Sequence, residues 1–326
     1  MMTGMKKSTI KLAIRKKIDD WLETIEDRDV RKVAIENTIV SGGCIASMLQ
    51  GESPKDYDIY FRTLEAAALV AKYYVAEFNK TQGILKHAVA KNYNPEVQFT
   101  IIKNCKGVDE KRVTIFMQSS GIASDTTEEY RYFEGEPEIG ASRFIDSLVM
   151  DEPLEIADAV VENLKDKKLK RYRPVFLTDN AITLTNKMQL VIRFYGTPAE
   201  IHDNYDFVHA MCYYDVFTGE LNVTKEALES ILSKSLIYAG SLYPIASVFR
   251  IRKFLDRGWR ISAGQILKML FQISDLDLHD MHVLKEQLLG VDAAYMHELI
   301  TTLETTKERI DETYLAKLID KIFEEK

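Results

Sequence analysis

Apolar residues recur every three to four positions through residues 8–26, placing Ile10, Ile14, Ile18, Leu22 and Ile25 on one stripe. That spacing predicts an amphipathic helix with Ser8 as its cap. A second, shorter helix over about 28–36 leads into the β-branched run Thr38–Ser41, which has the composition of a strand. Gly42 and Gly43 end that run and a short amphipathic stretch follows. The pattern then alternates through Asp56, Tyr57, Asp58, Ile59, Tyr60 and Phe61, predicting a second strand. Residues 64–78 (LEAAALVAKYYVAEF), rich in alanine and poor in polar positions, predict a strong helix. Helix, strand, glycine turn, helix, strand, helix is the opening order of a small mixed α/β palm.

Between about Gly83 and Thr178 the pattern turns irregular. Strand-like runs (VQFTIIK, RVTIFMQ) alternate with acidic turns (GVDEKR, EGEPEIG) and a basic stretch, KDKKLKRYRP. Regularity returns at AITLTNKMQLVIRFYG, two short strands joined by Thr185, Asn186 and Lys187 in the manner of a hairpin. From Lys225 onward the spacing predicts helices over 225–237, 243–256, 262–273, 280–289, 292–306 and 313–325. The fold class expected is therefore α+β: a small mixed-sheet palm with a large insertion, then an all-helical C-terminal region. The head spans 1–224, with 85–178 inserted, and the helical part spans 225–326.

Composition narrows the function. A chain of 326 residues that is 46% apolar can build real cores. Its net charge of −7 gives no general attraction for nucleic acid, so any such contact must use local basic patches. Cys44, Cys105 and Cys212 are far apart and form no CxxC pair, which argues against structural zinc or a disulfide framework and suits a reducing cytoplasm. The basic start (Lys6, Lys7, Lys11, Arg15, Lys16, Lys17) has helically spaced apolar residues, the pattern of neither a signal peptide nor a membrane span.

Candidate chemistry concentrates at the glycine pair. Gly42 and Gly43 permit backbone conformations that a Cβ would block, so amide groups can approach a phosphate closely. Asp56 and Asp58, two apart in a predicted strand, share a face and form a two-carboxylate site for Mg²⁺. In DLDLHDMH (275–282) a lone His-Asp doublet reads as an acidic helix start, and His209 as a packed or hydrogen-bonded histidine.

The segment TIVSGGCIASMLQGESPKDYDIYF resembles the signature of the DNA polymerase β-like nucleotidyltransferases, above all tRNA CCA-adding enzymes and bacterial poly(A) polymerases. Gly42-Gly43, Leu49, Gly51 and Lys55-Asp56-Tyr57-Asp58-Ile59 stand in the family's register, while Ala46 and Ser47 replace its Arg-Asp. A second stretch, Leu190–Arg193 and Asn204–Leu221, keeps the Asp-Phe, Ala, Tyr-Asp and Gly positions but has Asn204 and Tyr205 for two arginines and His209 for an asparagine. In a third, Pro244, Arg252 and Gly258-Trp259 align with the neck helix, whereas Leu242, Tyr243, Ala246 and Phe249 replace its base-reading residues.

The resemblance implies a template-independent nucleotidyltransferase that moves NMP from an NTP (ATP or CTP) to an RNA 3′ end, that of tRNA. It implies Asp56 and Asp58 as catalytic ligands of two Mg²⁺ ions, with Gly42, Gly43, Ser47 and Lys55 on the triphosphate. Asp206, Arg250, Arg252 and Lys253 would contact nucleotide or RNA. A third carboxylate position falls at Gln189, which carries no charge; Glu96 is a reserve candidate. Two alternatives stand beside this reading: a nucleotidyltransferase that modifies a protein or small molecule, and a non-catalytic RNA-binding relative. The insertion is expected to form a small α/β subdomain that either covers or extends the cleft or is an inert elaboration. Neither a membrane association nor an oligomeric state is indicated.

Overall fold

The computed structural model describes residues 4–82, 95–103, 109–116, 122–123 and 172–278, with isolated positions from 280 to 317. Helix α1 (Lys7–Thr24) is followed by α2 (Arg28–Asn37), β1 (Thr38–Ser41), α3 (Gly43–Gln50), β2 (Tyr57–Phe61) and α4 (Leu64–Gln82). The stripe residues Ile10, Ile14, Ile18 and Leu22 of α1 are buried, as is Ile25 at its C-cap, and Trp21 joins them, its indole N–H donating to the Tyr74 hydroxyl at 2.7 Å. Ser8 is not the cap: the helix already begins at Lys7, and its N-cap residue, Lys6, makes no side-chain cap bond. Asp27 caps α2 by accepting from the Asp29 and Val30 amides. Ala66, Ala67, Ala68 and Ala71 are buried on α4, where small side chains let the helix lie close to the sheet.

Later strands are β3 (Glu96–Lys103), β4 (Asp109–Phe116), β5 (Ile122–Ala123), β6 (Pro174–Leu177), β7 (Ala181–Leu184), β8 (Met188–Tyr195), β9 (Tyr213–Asp215) and β10 (Glu220–Asn222). Eight of the strands form one sheet in the order β10-β9-β1-β2-β8-β7-β6-β5, while β3 and β4 pair separately. Within that sheet β2 and β8 run parallel and every other pair is antiparallel. The protein is thus α+β with a mixed sheet. Strands β5 and β6 lie inside the expected insertion yet extend the main sheet.

Register explains how the sheet positions a site. Leu221, Tyr214, Val40, Ile59, Leu190 and Ile182 pair in one continuous cross-strand row, and all are buried in the main core beneath the helices. The next row, one residue along, is Asn222, Tyr213, Ser41, Asp58, Gln189 and Thr183. Side chains alternate faces at period two, so this polar row points the other way. Part of that second face is covered by α5 (Pro198–His202), whose Ile201 packs on Ile39 and Tyr60. Thr197 and Glu200 form a capping box at its start, with Pro198 in the first turn.

Beyond β10 come α6 (Lys225–Ser233), β11 (Ser235–Leu236), α7 (Pro244–Asp256), β12 (Arg260–Ile261) and α8 (Ala263–Ser274). The helix expected over 225–237 stops at Ser233, where Lys234 turns left-handed (φ 47°) and lets β11 pair in parallel with β12. This part of the chain is therefore not all helical. The helices expected over 280–289, 292–306 and 313–325 lie almost entirely outside the described residues.

Candidate functional site

The polar row meets the glycine turn at the C-terminal end of β1. Gly42 adopts φ 94° and ψ −156°, a region essentially confined to glycine, and serves as the N-cap of α3. A methyl group there would lie 2.7 Å from Asp58 Oδ2 and 3.6 Å from the Tyr205 hydroxyl. Gly43 is exposed, and nothing within 4 Å would meet a methyl group on it. The two glycines thus do different work: Gly42 brings the backbone against Asp58, and Gly43 leaves open the approach to the first turn of α3.

Ser41, fully buried, pairs across the ladder with Asp58. Its hydroxyl donates to the Cys212 carbonyl at 2.9 Å and lies 2.9 Å from His202 Nε2. With that proton committed to a carbonyl, His202 must supply the hydrogen between them, which fixes its Nε2–H tautomer. Burial pushes the His202 pKa down to about 4, against a weaker upward pull from Asp203. Burial pushes the Cys44 thiol well up, and Asp58 and then Asp56 add to the rise. Both carboxylates therefore bear on the first turn of α3. Burial also raises Tyr60, with Tyr205 and Asp58 adding to it while the Arg250 guanidinium opposes.

Other expected site residues fall into three groups. Lys55 and Asp56 are exposed in the turn just before β2, and Asp58 is half-buried within it. Ser47 is half-buried one turn along α3, where its carbonyl accepts from the Glu52 amide at 2.9 Å. Gln189 lies directly beside Asp58 on β8, at the neighbouring-strand position read from the sequence, whereas Glu96 belongs to the separate β3–β4 pair. Asp206 and Arg250, each expected on a ligand, form an ion pair with one another at 2.7 Å. Arg252 and Lys253 are exposed on α7. His209 is packed as expected, its ring centroid 4.5 Å from Trp259 and 4.7 Å from Phe254. Sequence reasoning missed Ser41, Tyr60, His202 and Tyr205; the alternation of β1 and β2 was the available signal for the first two.

Among the described residues, no cluster of three or more His, Cys, Asp or Glu side chains could hold a metal. At the glycine turn Asp56 and Asp58 could offer a metal two carboxylate ligands. Two hard oxygen ligands fit Mg²⁺, which keeps several waters and takes phosphate oxygens, and do not fit a closed tetrahedral zinc site.

A sequence model of the family described as "Gabija anti-defense 2 family protein" matches residues 12–234. One relative, the "Gabija anti-defense 2" protein of Bacillus phage SPbetaL7, is 22% identical over 138 residues, covering 42% of this chain. The match spans only 33% of that relative's length. No solved structure matches the chain. These findings overturn the resemblance to CCA-adding enzymes and with it tRNA processing, addition to an RNA 3′ end and both alternatives held beside them. The resemblance rested on a short glycine-turn motif and two partial ones. The family match instead takes in about two thirds of the chain, including every strand of the main sheet. The chain belongs to the Gabija anti-defense 2 family.

Proposed function

We propose that this chain counters the Gabija defence, and that it acts through the face carrying Gly42, Asp56 and Asp58 by taking up a nucleoside triphosphate with Mg²⁺. The first half follows from the family, whose matched region contains every element that builds this face and ends at residue 234, before α7. The observation that carries the second half is the close approach of Gly42 to Asp58 beside an open helix start at Gly43. We read α1 through β2 as a nucleotidyltransferase-type palm and the chain after residue 225 as a mainly helical appendage.

The amides at the start of α3 are disposed to receive phosphate oxygens, because a helix N-terminus carries partial positive charge. Asp56 and Asp58 would hold one or two Mg²⁺ ions, which lower the pKa of an attacking hydroxyl and neutralise pyrophosphate as it leaves. Nucleotidyl transfer then forms a bond from an acceptor oxygen to the α-phosphorus of ATP or CTP as the bond to pyrophosphate breaks. Among the described residues no helix is long and apolar enough to cross a membrane, and we place the activity in the cytoplasm.

Phage plating on cells that carry Gabija tests both halves. Expression of the wild-type chain is expected to restore plaques, and Asp58→Asn to lower plating by about 100-fold, the scale of losing one transition-state contact. Calorimetry with ATP and Mg²⁺ should show binding by the wild type that Asp58→Asn loses. Failure of the wild-type chain to restore plaques would remove the anti-defence assignment. Full restoration by Asp58→Asn would move the activity away from this face.

A further inference from the structure

Tyr205 follows α5, and its backbone amide donates to the His202 carbonyl at 2.9 Å. Its ring packs between Tyr60 (centroids 6.0 Å, 53°) and His202 (5.1 Å, 52°). That sandwich fixes where the hydroxyl points: toward Gly42 and Asp58, on the polar face of the sheet. The hydroxyl oxygen is buried, and although Ser41 and Tyr60 lie close by, it reaches hydrogen-bond geometry with neither. A buried hydroxyl without a partner destabilises a folded protein. Leaving one beside a carboxylate and a glycine turn has a function if a ligand completes it. A tyrosine hydroxyl is protonated at neutral pH and can donate.

We propose that Tyr205 is a ligand-binding residue, its hydroxyl donating a hydrogen bond to a phosphate oxygen of the nucleotide held beside Asp58. This rests on the reading of that face as a nucleotide site. It adds a donor from the loop after α5, across the sheet face from the α3 amides. An anionic ligand would then be gripped from two sides: by backbone amides at the helix start and by one neutral side-chain donor. The donor's fixed direction selects a ligand whose phosphate oxygen comes close to Asp58, which a bare divalent cation does not provide.

Tyr205→Phe keeps the ring and removes only the hydroxyl, so the full-length chain can be compared directly with the wild type. Without nucleotide, the variant's melting temperature is expected to be unchanged or to rise by about 1–3 °C, because an unsatisfied buried group is gone. Its affinity for ATP with Mg²⁺ by calorimetry is expected to fall about 5- to 10-fold. Stability and binding thus move in opposite directions, which a structural hydroxyl would not produce. A fall in melting temperature of several degrees would show that the hydroxyl serves the fold and overturn the inference. Equal affinity in variant and wild type would overturn it while leaving the nucleotide reading intact; absence of binding by the wild type would remove both.

Discussion

Gly42→Ala is expected to destabilise the protein by about 2–4 kcal/mol, whereas Gly43→Ala at the adjacent position is expected to change stability by less than about 1 kcal/mol. At Gly42 two costs combine. The backbone at φ 94° and ψ −156° is strained for any residue with a Cβ. A methyl group there would also lie 2.7 Å from Asp58 Oδ2, so the carboxylate end must turn aside. Gly43 has neither problem, since it sits in the first turn of α3 facing open space, where alanine is the better helix former. The added methyl group would instead occupy the approach to the helix start. Urea unfolding of the two variants should separate them by midpoint with m unchanged, and ATP titration should show Gly43→Ala folded but weaker in binding. Equal unfolding midpoints for the two would mean that the turn does not hold this geometry.

Acid is expected to destabilise the fold well before ordinary carboxylates are fully protonated, mostly through His209. Burial among Phe207, Phe254 and Trp259 pushes its pKa down to about 4, with Arg257 helping and Asp206 opposing. The unfolded chain takes up a proton near the ordinary histidine value of about 6.5, whereas the folded chain resists it until about pH 4. Stability is therefore fully present above about pH 6.5 and falls as the pH drops toward 4. For His209 the loss amounts to about 3 kcal/mol. His202 shifts the same way and adds a smaller, partly solvent-screened share. His209→Phe, which fits an aromatic cluster, should flatten the stability profile between pH 4 and 6.5 while leaving stability at pH 8 within about 1 kcal/mol. A variant profile parallel to the wild type would assign the acid sensitivity elsewhere.

What could be read in advance was what short-range periodicity encodes. The isoleucine stripe of α1, the β1–turn–β2 unit and the β7–β8 hairpin all follow from residues within one or two turns or strand pairs of each other. Gln189 could be placed beside Asp58 because both lie in regular strands. Strands β11 and β12 escaped because two residues carry no period, and their pairing depends on a left-handed turn at a lysine, which no residue type announces. Asp206 and Arg250 were read as two ligand contacts because a charge in a sequence does not say which opposite charge will meet it 44 positions away. Tyr205 and His202 lie in and beside an irregular loop, so nothing local marked them as neighbours of Asp58. The resemblance went too far for a similar reason. A glycine turn followed by paired aspartates describes what a small site needs, and sites of one chemistry recur on chains of different descent.

Strand order in the main sheet has a consequence for how the molecule holds together. Strands β1 and β2, formed before residue 62, are flanked by β9 on one side and β8 on the other, both formed after residue 187. At the far edge β5 pairs with β6, and both come from between those two segments. Segments from before residue 62 and after residue 187 are thus interleaved in one sheet, and its buried apolar row is continuous only when they pair. Asp58 and Gln189 face each other across that seam. The main sheet is therefore expected to form and come apart cooperatively, with loop closure over more than a hundred residues between β2 and β8 setting the pace of its assembly.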